Sequence, residues 1–328
     1  MILRLAAAFL ISLATTAIVG IKLIPALQRM KVGQSIRPDG PVWHNKKQGT
    51  PTMGGVMFIV GIAVTCLTAG LPDVRAGEYR HMIVFVFAFV CAAIGFLDDY
   101  EKLKRKRNMG LTAARKFTLQ ILVSGSFVIL VRSAGIATTD LYIPFLNVSC
   151  RIPEVVYFVF AVFVATGTIN GVNITDGADG LASGVTIPVV VCYMTIAVLW
   201  GVSSLGVISA ALLGGLLAFL FFNFHPAKVF MGDTGAQFLG GAICAIAFAM
   251  DMPLILLPLG IVYFIETLSD IIQVSYFKMT HGKRVFKMAP LHHHFEMCGW
   301  GECKLFIVFT AVSAVFAVIS YLGVLNRY

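Results

Sequence analysis

Three groups of carboxylates stand at the ends of long apolar stretches: Phe96-Leu97-Asp98-Asp99-Tyr100, Asn173-Ile174-Thr175-Asp176-Gly177-Ala178-Asp179-Gly180 and Phe230-Met231-Gly232-Asp233-Thr234-Gly235. Acids beside hydrocarbon are costly and usually mark functional sites. Carboxylate oxygens suit a hard cation, and glycines let backbone approach a ligand closely. Together they point to a metal-assisted reaction on a phosphorylated substrate at the bilayer surface.

Each group suggests a different task. Side chains adjacent on a helix diverge by about 100°. One of Asp98 and Asp99 is therefore expected to meet metal or substrate while a basic neighbour holds the other; the plain alternative is pairing with the Lys102–Arg107 run. Lys116, opening the next apolar stretch, offers charge to a phosphate. Asp176 and Asp179 lie among Gly171, Gly177 and Gly180, beside Asn170 and Asn173, a set suited to sugar hydroxyls or a uracil-type edge. A calcium loop is excluded because its closing Glu is Ile187 here; a simple polar turn is the competing reading. Asp233 is a fit ligand for Mg²⁺, which takes one or two carboxylates plus substrate phosphates. Phe230, in the preceding run from Asn223, offers a face for base stacking.

Met288-Ala289-Pro290-Leu291-His292-His293-His294-Phe295-Glu296, with Cys298 and Cys303, invites a zinc reading. Consecutive histidines do not readily converge on one tetrahedral ion, and no His-Glu-x-x-His or paired Cys-x-x-Cys is present. Hydrogen-bond and proton exchange with phosphate is the expected role. No Walker-type loop or Rossmann glycine pattern occurs, so ATP or dinucleotide use is not expected.

The elements that must carry these residues are membrane helices. The 328 residues are 58% hydrophobic and 12% charged, with mean hydropathy +0.88. That excludes an ordinary soluble domain and allows about ten spans of ~20 residues. Apolar stretches run over 5–24, 54–70, 81–97, 117–134, 154–171, 181–200, 204–222, 236–250, 253–275 and 304–325, with Gly201-Val202-Ser203-Ser204 as the turn between the sixth and seventh. The expected fold is all-α: one polytopic integral-membrane domain over 1–328, with about ten transmembrane helices and a cytoplasmic-side cleft. Glu266 and Asp270 in the ninth stretch should face protein or a wet cavity, their plain role being internal pairing near the cytoplasmic end, with a histidine as a candidate partner. A polar hairpin near Thr138–Ile152 is the sizeable connection on the far side. Arg4 and the following apolar run read as the first span rather than a cleaved leader. The seven cysteines give no disulfide framework.

Basic residues set the orientation. Only Arg4, Arg75, Arg80, Arg132, Arg151 and Arg327 fall on one side; the other 19 of the 25, from Lys22 to Lys304, share the face that carries all three acidic motifs. That face is read as cytoplasmic, with both termini outside, in a bacterial inner membrane. Most of this excess reflects topology and attraction to anionic lipid.

With these residues in view, the chain resembles the phospho-N-acetylmuramoyl-pentapeptide-transferases, a branch of the polyprenyl-phosphate N-acetylhexosamine-1-phosphate transferase superfamily. The resemblance runs from Gly49-Thr50-Pro51-Thr52-Met53-Gly54-Gly55 to Met288–Glu296. Asp98-Asp99 and the Asp-rich loop match the superfamily; the Gly49–Gly55 string and Ala289-Pro290-x-His-His-His match the muramoyl-pentapeptide branch. It implies a ten-helix fold and a Mg²⁺-dependent reaction between UDP-N-acetylmuramoyl-pentapeptide and undecaprenyl phosphate. By motif position it implies Asp98, Asp99 and Asp233 as essential acids, with Asp233 on magnesium. Asn173, Asp176, Asp179, Asn223 and Phe230 would line the nucleoside and sugar region. His292 and His293 would complete the phosphate end, with Lys47, Thr52, Lys116 and Gln273 as further contacts. Partners are then the two substrates and membrane lipid, with a homodimer left open and no nucleic acid.

Two rivals are weighed. A sister transferase using UDP-N-acetylglucosamine would share fold, metal and acids. A secondary transporter would place its coupling residues near the bilayer midplane on broken helices; only Glu266 and Asp270 favour that.

Overall fold

The computed structural model describes residues 1–30, 47–105 and 110–327. Helices α1 (Ile2–Arg29), α2 (Val56–Thr68), α3 (Leu71–Arg75), α4 (Arg80–Arg105) and α5 (Ala113–Ser133) lead to a hairpin of β1 (Asp140–Ile143) and β2 (Val148–Arg151). Then come α6 (Glu154–Thr175), α7 (Leu181–Leu199), α8 (Ser203–Asn223) and α9 (Gly232–Ala249). Helices α10 (Leu256–Leu259), α11 (Ile261–Met279), α12 (Leu291–Glu296) and α13 (Glu302–Leu322) complete the chain. The protein is an all-α polytopic membrane protein, and all ten apolar stretches are helical. Of the basic face, Lys31, Arg37, Lys46, Lys106 and Arg107 lie outside the described residues.

Among the described residues, seven helices are long and apolar enough to cross a membrane, or eight if the bent pair 253–259 and 261–279 is one span. The expected ten full-length spans differ from this in three places. Helix α2 has 13 residues. Helix α9 carries Asp233 and Gln237 within its 18 residues and is buried along nearly its whole length. The ninth stretch, expected as one span, bends by 79°. Pro258 lacks the N–H that would continue the ladder, and Gly260 ends α10 at the bend.

Packing follows membrane rules, in which close contact rather than water exclusion joins helices. The buried face of α1 is Leu5, Ala8, Ser12, Thr16, Gly20, Ile24 and Leu27, recurring every three or four residues. It lies against α8 and α2. Helix α9 is buried on nearly all sides and runs through the middle, against α4 and α6. Phe127 stacks on Phe87 at 4.0 Å and meets Phe248 edge-on at 6.0 Å.

Alternate connections gather at opposite ends of the bundle. At one end the β1–β2 hairpin pairs antiparallel, Asp140 opposite Arg151, and Thr138 bonds Asp251. Arg4 pairs with Asp73 there. The other end collects the C-termini of α4, α6, α8 and α11 and the N-termini of α2, α5, α7, α9 and α13, and with them every acidic motif.

Candidate active site

Asp98, Asp99 and Asp233 meet where the end of α4 crosses the start of α9; one carboxylate oxygen of each lies within 4.8 Å of the others. Asp98 and Asp99 are buried and Asp233 is half-buried. The adjacent pair diverges as helix geometry requires. Asp99 turns to the N-terminus of α9, accepting the backbone N–H groups of Asp233 at 3.2 Å and Thr234 at 2.9 Å and the Thr234 hydroxyl at 2.7 Å. It thereby satisfies helix-end donors that would otherwise be orphaned. Asp98 turns to Lys102 at 2.6 Å and accepts the Leu111 N–H at 2.9 Å.

Asp233 is the hub. Its Oδ2 lies 2.7 Å from the Lys102 ammonium and 3.0 Å from that of Lys116, and its Oδ1 accepts the Asn173 amide at 2.8 Å. Lys116 also donates to Asn173 at 2.8 Å. The Gly49–Gly55 string holds this hub by its backbone. Gly54 and Gly55 donate to the carbonyls of Phe230 and Met231, and Phe230 donates back to Pro51 at 2.8 Å. Gly55 packs on the Gly235 backbone so tightly that a Cβ would overlap it, and Thr52 lies against Gly232.

A second group brackets the Asp-rich loop. Lys47 lies 2.8 Å from Asp179 and 2.6 Å from Glu302, with its ammonium 5.9 Å from the Phe230 ring centre. Asp179 also meets His225 Nδ1 at 2.9 Å and accepts the Ala227 N–H at 3.0 Å, while its own N–H reaches Glu302. Burial opposes ionisation of Asp179, yet Lys47 and these donors hold its carboxyl below the usual range. Burial likewise opposes the Lys47 charge, but Glu302 and Asp179 outweigh it and hold the ammonium above the usual lysine value. Asp176 is pushed well above the usual range by desolvation and then by Asp233, Asp99 and Asp179, which outweigh the opposing charge of Lys47.

The three histidines face different ways. His292 is fully buried against Glu266 at 2.9 Å, the internal acid–histidine pairing expected in the ninth stretch. His293 Nδ1 meets Glu296 at 2.6 Å, and His294 Nδ1 accepts the Lys287 N–H. These divergent partners argue against a shared zinc ion.

Three residues expected to touch substrate have their amides engaged inside the protein. Asn223 accepts from Gly180 and donates to Val229, joining two loops. Gln273 accepts from Val285 and Phe286 and shapes the connection before α12. Asn170 sits one turn deeper than Asn173, bonded to Gln120, which reaches Gln237. Conversely, Lys102, Glu302 and His225 enter the site without having been singled out as site residues. An acid opening the last apolar stretch was the visible cue for Glu302; nothing local named Lys47 as its partner.

The geometry has counterparts. Residues 81–251 match the family model for glycosyl transferase family 4, and 47–59 match the phospho-N-acetylmuramoyl-pentapeptide-transferase signature 1, the strip that holds the Asp233 loop. A phospho-N-acetylmuramoyl-pentapeptide-transferase of Clostridium acetobutylicum is 45% identical over 322 residues, 96% of this chain and 98% of the relative. The chain belongs to the phospho-N-acetylmuramoyl-pentapeptide-transferase family. Relatives of the same name from Staphylococcus carnosus, covering 97% of each chain, and Desulforamulus reducens, covering 95% and 93%, are each 44% identical. Family membership favours the transferase over the transporter and over the sister branch.

The acidic cluster fits a hard cation. Its donors are all carboxylate oxygens, and the Lys102 ammonium between Asp98 and Asp233 shows that positive charge is accommodated there.

Proposed function

We propose that the protein transfers phospho-N-acetylmuramoyl-pentapeptide from UDP-N-acetylmuramoyl-pentapeptide to undecaprenyl phosphate. The products are undecaprenyl-diphospho-N-acetylmuramoyl-pentapeptide (lipid I) and UMP, the first membrane step of peptidoglycan synthesis. The reading rests on one observation: three carboxylates and two lysines converge beside the Lys47–Asp179 bracket at one end of apolar helices. A water-soluble nucleotide sugar and a membrane-held phosphate can meet only at such a boundary. The family names supply the sugar.

The chain acts as one integral-membrane domain in a bacterial cytoplasmic membrane, with the site on the cytoplasmic side and both termini outside. The basic excess on the site face supports this orientation.

Both substrates are anionic, so approach of phosphate to diphosphate needs positive charge. Lys102 and Lys116 supply it from either side of Asp233. Asp233 would hold Mg²⁺, with Asp98 and Asp99 close by; bound there, the ion would offset charge on the diphosphate oxygens. Lys47, Asp179 and Phe230 receive the nucleoside end, where the ring provides a stacking face. Asp99 works through the α9 backbone, fixing where Asp233 points. An oxygen of the lipid phosphate attacks the sugar-bound phosphorus, and the bond to UMP breaks with its electron pair leaving on UMP. A phosphate monoester has a second pKa of about 6, so little proton removal is required at neutral pH. Asp98, whose two oxygens each accept one hydrogen bond, from Lys102 and from the Leu111 N–H, takes any remaining proton on a free lone pair.

The test is UMP release by purified protein given polyprenyl phosphate, Mg²⁺ and either UDP-N-acetylmuramoyl-pentapeptide or UDP-N-acetylglucosamine. Turnover of the muramoyl substrate alone is expected. Turnover of the other sugar alone would move the chain to the sister reaction.

A further inference from the structure

Glu266 on α11 and His292 on α12 form a pair sealed from solvent. Glu266 Oε1 accepts the His292 backbone N–H at 3.1 Å, and Oε2 lies 2.9 Å from His292 Nδ1. The other ring nitrogen, Nε2, is buried without a hydrogen-bond partner among the described residues. It faces Gly177 so closely that a Cβ there would collide with it. Gly177 stands between Asp176 and Asp179 on the loop that reaches Lys47.

The chemistry of this arrangement is directional. A carboxylate only accepts hydrogen bonds, and a backbone N–H only donates. With one oxygen on that N–H, the other receives its bond from Nδ1 only if Nδ1 carries the proton. The neutral ring then exposes its lone pair at Nε2, as when an acid orients a metal-bound histidine. A buried Nε2 without a partner is a costly state; it is relieved by a donor, or by uptake of a proton, which turns Nε2 into a donor toward a phosphate oxygen. The neighbouring His293 ring, 4.2 Å away, is held by a different acid, Glu296.

We propose that Glu266 is a positioning residue: it fixes His292 in its Nδ1–H form and so presents Nε2, the atom that gains or loses a proton, to the Asp176–Asp179 loop. This rests on the proposed function for what arrives there, the diphosphate end of a nucleotide sugar. Glu266→Gln tests it sharply. With its carbonyl oxygen in the Oε1 place, 3.1 Å from the His292 backbone N–H against 3.4 Å for the Oε2 place, its amide NH₂ lies against Nδ1. Nδ1 must then become the acceptor, and the proton moves to Nε2.

The experiment is ¹⁵N NMR of histidine-labelled full-length protein at alkaline pH, with His292 assigned by its loss in His292→Gln. Wild type is expected to show a protonated Nδ1 and a bare Nε2, reversed in Glu266→Gln. In turnover assays Glu266→Gln is expected to lower kcat about tenfold or more, the scale of losing an orienting partner, and to cost nothing further in the His292→Gln background. A wild-type ring protonated at Nε2, or equal losses in both backgrounds, would overturn the proposal. Should Glu266→Gln fail to fold, the wild-type spectrum alone decides. Absence of wild-type turnover with the nucleotide sugar would sink the proposed function while leaving the ring assignment to stand or fall on the spectrum.

Discussion

Asp99 holds Asp233 by its backbone: the Asp99 carboxylate receives the Asp233 and Thr234 N–H groups at 3.2 and 2.9 Å and so caps the helix that carries Asp233. Its neighbour Asp98 points instead at Lys102. Two adjacent acids thus have separate partners, one holding the α9 backbone and one facing the Lys102 ammonium.

That division predicts different failures. Asp99→Asn keeps the size of the side chain but loses an acceptor, so stability should fall by about 1–3 kcal/mol, the cost of an unsatisfied buried donor. Asp98→Asn should lose turnover with a smaller change in melting temperature. Thermal unfolding and UMP release, measured on both variants, separate the two; equal melting losses would contradict the division.

Lys102 bridges Asp98 and Asp233 at 2.6 and 2.7 Å. Lys102→Gln leaves the three carboxylates sharing fewer cations, and like charges crowded together favour a bound cation. The melting temperature of this variant should rise more steeply with added Mg²⁺ than that of wild type, while turnover falls. A variant no more responsive to Mg²⁺ than wild type would remove Lys102 from the cation site.

The Lys47–Asp179 pair makes stability depend on pH in a definite direction. The Asp179 carboxyl is held below its usual value. Its contribution is therefore complete above the unfolded aspartate value of about 3.9 and is lost as pH falls through the folded value. Lys47 is held above its usual value, so its contribution is complete below about 10.4 and is lost as pH rises through the folded value. The difference in melting temperature between wild type and Asp179→Asn should be widest near neutrality and close below about pH 4. A difference that stays constant into acid would show that the pair carries no charge term. In binding assays Asp179→Ala should weaken the nucleotide sugar more than the lipid phosphate.

Gly177 faces His292 Nε2 with no room for a methyl group. Gly177→Ala should push the ring off Glu266 and cut turnover by about tenfold or more, with the fold retained. Normal kinetics in this variant would mean the contact is incidental.

Much of this was legible in the sequence because the signals are local. Apolar runs became helices, Gly201 turned the chain between α7 and α8 with φ at 68°, and the far-side hairpin formed where polar residues broke the pattern. The 79° bend was hidden because hydropathy does not register direction, although Pro258 and Gly260 marked the place. Partners distant in sequence were also hidden: Lys47 and Glu302 are 255 residues apart. The resemblance assigns Asn223 and Gln273 to ligand contact, and only the packed loops show that their amides also bond within the protein.

The most direct measurement is a Mg²⁺ titration of UMP release for wild type and Asp233→Asn, both shown to be folded and monodisperse. Saturable, chelator-sensitive turnover is expected in wild type and none in Asp233→Asn at any Mg²⁺ concentration. Normal turnover in Asp233→Asn with unchanged Mg²⁺ dependence would contradict this, because the cation would then be held elsewhere.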